Sequence, residues 1–362
     1  EYFRSIIIDY SYKFFYEDGY GKEYRIYNLR DTISDEQRQL YLTGCLLSFY
    51  QQLKLFAEKG KEYAPFQIEK PLLVFVGNRV TAKTSAAEMT DVEEVLDFID
   101  KFVNAKERTI GRIHAVLNED TGLYDGKGRE LFSQNFNAIT SLFGGTPRAA
   151  DVYQDILRVV FNSDTASEAP RLHVLNLRQV QGEIALRIGT DGEYFGVISI
   201  GDTSGLIKNC EASGIATGTE EFANESLFGN INDRSSNIKI LIGSRKFTEG
   251  WNSWRVSTMG LINFAKGEGS QAIQLFGRGV RLRGHGGCLK RSNKLDDRSV
   301  SIPKNIDLLE TLTIFGIKAQ YMEDFKKYLE MEDMPVNEKP HEYTLPVLSR
   351  YNDVKTKNLR VI

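Results

Sequence analysis

Residues 238–283 limit what this chain can fold into more than any other stretch. Residues 238–242, apolar except for Lys239, and residues 259–262, continuously apolar, lie on either side of a polar segment, which predicts two buried strands. Gly267 and Gly269 then break the chain, and the apolar period that follows predicts a helix over 270–282. At about 100° per residue, Ala272, Ile273, Phe276 and Val280 share one side. Gln274, Arg278 and Arg281 share the other, because offsets of three, four and seven return to one face. A helix of this kind rests its apolar back on a sheet and presents two guanidiniums and an amide. Gly277 and Gly279 weaken it by roughly 1 kcal/mol each relative to alanine. That is tolerable where something approaches the backbone closely.

The order of these residues carries a resemblance. Gln274-Leu-Phe-Gly277-Arg278-Gly-Val-Arg281 resembles the pattern Q-x-x-G-R-x-x-R, motif VI of superfamily 2 helicases. Upstream, Phe247-Thr248-Glu249-Gly250-Trp251-Asn252 resembles motif V as it is written in the helicase subunits of type III restriction enzymes. Asn252 departs from the aspartate usual there; it keeps the acceptor oxygen and loses the charge. The resemblance implies an α/β fold: a RecA-like, mainly parallel sheet flanked by helices, the second helicase lobe, with inserted and flanking segments. It implies that Arg281 is the arginine finger, with Arg278 also facing the phosphates. Gln274, Gly277, Glu249, Gly250 and Asn252 then belong to the nucleotide side, and Thr248 to the nucleic-acid side. ATP with Mg2+ is the implied cofactor.

Elsewhere the chain alternates strands and helices, as an α/β protein does. Residues 71–77 are continuously apolar and predict a strand buried on both faces. The loop after it holds Asn78, Arg79 and Thr81, in the place of motif IV, and the resemblance assigns these donors to a nucleic-acid backbone. A helix is expected over 35–57, with Ser34 as N-cap and a kink at Thr43-Gly44, followed by a polar linker over 58–64. Further helices are expected over 91–102, 108–120 and 147–161, and strands over 172–177, 183–188 and 196–200. Asp191-Gly192 suggests a hairpin between the last two. The aromatics of residues 1–30 partly alternate and suit strands, 213–236 reads as a surface excursion, and 283–298 as a loose basic loop suited to phosphates.

Length and composition set the bounds. A chain of 362 residues with 41% hydrophobic residues has room for a substantial core. The net charge of −3 leaves no global field to attract nucleic acid, so phosphate binding must use local patches. Cys45, Cys210 and Cys288 are widely spaced and show neither a disulfide framework nor a metal-ligand spacing. There is no signal peptide and no apolar run of about 18 residues, so a cytoplasmic setting without membrane contact is expected.

No G-x-x-x-x-G-K-[ST] and no acidic box after a buried strand occurs. The resemblance therefore places the P-loop and the Mg2+ ligands in a first RecA-like lobe that precedes this segment in the same chain. Residues 1–66 are then the end of that lobe or an inter-lobe linker, 67–287 the second lobe, and 288–362 a C-terminal extension. The implied activity is that of an ATP-dependent DNA helicase or translocase of a restriction or defence system, inactive as this fragment alone. Duplex DNA and a modification or nuclease subunit or domain are the expected partners. A non-catalytic nucleic-acid-binding or scaffolding lobe is the alternative, with Arg278 and Arg281 on phosphodiesters. Gly267-Glu-Gly269-Ser-Gln-Ala272 also fits a dinucleotide-binding spacing. That fold needs a strand ending in an acid about 20 residues on, where this chain has a glycine-rich basic loop.

Overall fold

The computed structural model describes residues 10–28, 33–77, 90–125, 128–163, 170–221, 223–243, 251–262 and 269–317, with backbone alone at 269–272 and 317. Among the described residues nine strands form one sheet: β1 Glu23–Asn28, β2 Leu72–Gly77, β3 Leu172–Leu177, β4 Glu183–Ile188, β5 Gly196–Ser199, β6 Ala216–Glu220, β7 Ile240–Gly243, β8 Val256–Ile262 and β9 Thr311–Ile317. Their order is β1-β9-β8-β2-β7-β5-β4-β3-β6. Only β4 runs against its neighbours, β3 and β5. The expected α/β architecture with a mostly parallel sheet is what the chain adopts.

Alternate residues of the central strands feed two cores, as the pleat requires. Leu73 and Phe75 of β2 pack on one side of the sheet with Ile240, Ile242 and Phe315. Helices α2 (Asp35–Tyr63), α3 (Asp91–Asn104), α4 (Lys106–Leu117), α6 (Ala149–Val159) and α7 (Thr203–Ala212) cover that side, as does the short α5 (Asn137–Leu142). Leu72, Val74 and Val76 pack on the other side with Leu241, Met259 and Leu312. That side is covered by α8 (Gly269–Gly279) and by side chains of α1 (Tyr12–Glu17).

Several expectations need correction. Among the described residues, the aromatic N-terminal stretch holds the helix α1 as well as a strand from Glu23. The excursion over 213–236 contributes the edge strand β6. Residues 58–63 continue α2, and its one non-helical residue is Lys59. Two strands come from outside 67–287: β1 and β9 pair with each other, and β9 pairs with β8.

Helix α2 is buried all round, every residue from 39 to 55, which is why its apolar residues show no single stripe. Several of its polar groups find partners inside, though Gln39 Oε1 and Gln51 Oε1 do not. Gln52 donates to the carbonyls of Leu308 and Thr311 at 2.8 and 3.0 Å, and Lys54 meets Asp155 at 2.8 Å. Gly44 does not kink the helix. It makes room for the Phe132 ring, whose Cζ would lie 2.2 Å from a Cβ at that position. Gly44→Ala is therefore expected to lower stability by about 1–3 kcal/mol despite alanine's better helix propensity. A urea midpoint at or above wild type would show that the ring moves aside freely.

Candidate functional site

The site lies where α8 ends. Its back is anchored by Leu275, Phe276 and Val280, all buried. Phe276 meets the rings of Tyr24 and Tyr12 edge-on at 5.2 and 5.3 Å. At Gly279 a Cβ would stand 2.7 Å from Leu312 Cδ2 and 3.1 Å from Met259 Cε, so this glycine lets the helix lie close on β8 and β9. A Cβ at Gly277 would meet nothing within 4 Å, and that residue is exposed.

The helix is shorter than its periodicity suggested. It stops at Gly279, and Val280 and Leu282 are buried from the turn and non-helical segment that follow. Gln274 is exposed and Arg278 half-buried on the helix, whereas Arg281 is half-buried beyond its end. Arg281 donates from Nη1 to Asn252 Oδ1. The Asn252 carbonyl in turn accepts from Asn232 Nδ2 at 2.9 Å. The structure thus joins Asn252 to Arg281 across 29 residues of sequence. Asn78, Arg79, Thr81, Thr248, Glu249 and Gly250 lie outside the described residues.

Three buried cations brace the segments around this site; Lys22 and Arg255 carried no expectation, and Arg291 was expected only as part of the basic loop. The Lys22 N–H donates to the last turn at Val280 O, 2.6 Å away, and its Nζ donates to Val256 O. Arg291, buried, donates to Tyr16 O at 2.7 Å, Gly21 O at 3.1 Å and Tyr20 O at 3.2 Å. Its guanidinium also stacks 4.5 Å from the Tyr16 ring. Arg255, buried, donates to Lys70 O at 2.9 Å, Ile238 O at 2.7 Å and Ile231 O.

Three of the five cations in the basic loop are engaged within the chain, while Lys294 and Arg298 are exposed. Arg291 is a buried strut, Lys290 pairs with Asp296 at 3.0 Å, and Arg283 pairs with Glu69 at 2.9 Å. Arg283 also lies over the Trp254 ring, 5.4 Å from its centroid, while Trp251 belongs to the core. The only sequence signal for these struts was position. Arg255 immediately precedes the strand-forming stretch Val256–Ile262, and Lys22 follows Gly19-Tyr20-Gly21.

Burial pushes the Lys22 ammonium down to about 7, with Glu310 opposing, and the Lys239 ammonium down to about 8. Both groups titrate lower folded than unfolded, so between these values and the usual 10.5 the unfolded chain binds more protons. Stability is therefore expected to rise from about pH 7 to about pH 8.5, by on the order of 1 kcal/mol from Lys22. Above that range the buried thiols Cys45 and Cys210, pushed up by burial, act in the opposite sense. Urea midpoints under reducing conditions read this slope, and Lys22→Met should flatten it.

Among the described residues no group of three or more His, Cys, Asp and Glu side chains is placed to hold a metal ion. None of their helices is long and apolar enough to cross a membrane. Comparison with models of known protein families gives no match, and neither does comparison with curated proteins.

Proposed function

We propose that this chain is the second RecA-like lobe of a superfamily 2 DNA-dependent ATPase, similar to the helicase subunit of type III restriction systems. The observation that carries the reading is the Arg281–Asn252 hydrogen bond, which links the segment resembling motif V to the one resembling motif VI. Support also comes from α8, which follows β8 in the sheet and ends beside Arg281.

The donor set suits a nucleotide's phosphates. Arg281 is half-exposed at the end of a well-anchored helix, Gln274 is exposed on that helix, and Gly277 leaves the backbone open to close approach. Bound ATP with Mg2+, its metal ligands supplied by the first lobe, would bring the phosphoanhydride to be cleaved. The Arg281 fork stabilises negative charge on phosphoryl oxygens, bidentately and without losing its proton. Asn252 holds that fork without neutralising it, since an amide oxygen accepts a hydrogen bond and carries no charge. Arg278 adds a second positive charge, in the last turn of the helix that precedes Arg281.

The test is ATP hydrolysis by the full-length protein with and without duplex DNA. Turnover stimulated by DNA supports the reading. Absence of turnover with any nucleic acid would move the assignment to a non-catalytic binding or scaffolding lobe.

A further inference from the structure

We propose that the outer edge of β6 is a self-association surface, at which two copies of this chain pair β6 with β6, antiparallel, about a two-fold axis beside Gly218. Among the described residues β6 ends the sheet and pairs with β3 alone. The Glu220 carbonyl accepts from the Arg178 N–H at 3.1 Å, so Glu220 turns its main-chain groups toward β3. Direction alternates along a strand, so Ala216 and Gly218 do the same, while Thr217 and Thr219 turn theirs outward. Among the described residues nothing bonds to these two N–H and two carbonyl groups. All five residues of the strand are exposed or half-buried.

A row of open donors and acceptors is a template for another strand, and native edges are often blunted by lysine, proline or a bulge. β6 reads Ala-Thr-Gly-Thr-Glu and has neither residue, and its register with β3 is unbroken. Its one charge, Glu220, stands at the end and accepts from the Tyr194 hydroxyl at 2.9 Å. The open stretch is closed off on both sides. Before it, the Ile215 N–H donates to Cys210 O at 3.0 Å, and after it Gln179 Nε2 donates to Glu221 O at 2.8 Å. A template this short is filled by an equally short strand. A two-fold pair consumes both edges at once, so association closes at a dimer.

The strand's own sequence suits a second copy. With the axis at Gly218, Thr217 lies opposite Thr219 of the second copy, and Thr219 opposite its Thr217. These are the outward-turned residues, so each pair exchanges both bonds and all four groups of each strand are used. Threonine opposite threonine is a favourable cross-strand pair. Glu220 falls opposite Ala216, so no carboxylate faces another across the strands, and Gly218 meets Gly218 without side chains. Moving the axis by one residue leaves one threonine opposite Ile215 or Glu221, where the N–H or the carbonyl is already engaged. Thr217 Oγ1 donates to Glu211 Oε1 at 2.9 Å, so α7 stands over one face of β6, and the two-fold sets the second α7 on that same face. The surface shares no residue with the proposed nucleotide site, so ATP turnover does not bear on it.

Analytical sedimentation of the chain over a wide concentration range, with hydrogen exchange followed at single amides, decides the matter. A monomer–dimer equilibrium with Kd on the order of 10–100 µM is expected, since so small an interface is weak. The Thr217 and Thr219 amides should exchange fast in dilute chain and at least about 10-fold slower where the dimer dominates. The Gly218 and Glu220 amides, turned toward β3, should stay protected throughout. Thr219→Pro removes an outward donor that the single chain does not use, and should weaken the dimer at least about 10-fold. Thr219→Glu sets a carboxylate near Glu211 of the second copy and should act in the same direction. It should fold even where the proline variant does not. A monomer at every concentration up to roughly ten times that Kd overturns the proposal, as does wild-type dimerisation in whichever variants fold. Slow exchange of Thr217 and Thr219 already in dilute chain also overturns it, because the edge is then covered from within the same chain.

Discussion

Arg281→Ala in the full-length protein is expected to lower DNA-stimulated ATP turnover by about 10³-fold or more, with the melting temperature unchanged. The two halves of that expectation have separate grounds. Turnover should fall because, in the proposed role, nothing else at this position offers a planar fork of donors to phosphoryl oxygens. Stability should hold because Arg281 is half-exposed and contributes one hydrogen bond, to Asn252. The packing on either side belongs to Val280 and Leu282, both buried, and alanine leaves them in place. Exposed substitutions away from special features usually stay within about 0.5 kcal/mol. Arg281→Lys should recover little activity, since an ammonium keeps the charge but not the bidentate geometry. Steady-state turnover with and without duplex DNA, beside a thermal melt, checks both halves. Unchanged turnover in the alanine variant would remove Arg281 from the proposed role.

What was legible in the sequence was whatever local pattern dictates. Strands β3 and β4 were found to the residue, and the start of β5 as well, because each is a short apolar run bounded by turn residues. The Asp191-Gly192 hairpin was found for the same reason, and β4 and β5 pair antiparallel around it. The end of α8 was missed because Val280 and Leu282 are buried, and an apolar residue at the right offset looks helical even when the chain has left the helix. Gly44 was misread because a glycine in a helix signals weakness, while its cause here is a ring from residue 132, far along the chain. Strand order lay beyond reach, since pairing β9 with both β1 and β8 is a tertiary fact. At the candidate site, the apolar back and polar front of α8 were readable from spacing. The struts were not, because a lysine or arginine read alone is a solvated charge. Several backbone carbonyls converge on each of the buried Arg255 and Arg291, and one, Val256 O, on the buried Lys22.

Arg255→Met is expected to destabilise the chain by about 3 kcal/mol, and two effects of opposite sign decide the figure. Burial penalises the guanidinium, whose proton affinity falls to about 10, so a neutral side chain of similar length relieves a real cost. Against this, the carbonyls of Lys70, Ile231 and Ile238 all lose their donor at once. Each buried acceptor left unmatched costs about 1–3 kcal/mol, and three of them outweigh the relief. Arg255→Lys should restore only part of the loss, because one ammonium cannot replace a fork that reaches three separate segments. Urea unfolding of the three proteins measures the difference, and a methionine variant as stable as wild type would show that water satisfies these carbonyls. The consequence should also reach the candidate site. Ile231 adjoins Asn232, whose side chain holds the Asn252 backbone, and Asn252 holds Arg281. Loosening residue 231 therefore loosens the anchor of the proposed finger. Turnover should then fall together with stability in Arg255→Met, whereas in Arg281→Ala it falls alone, and that contrast separates a strut from a group that meets the phosphates.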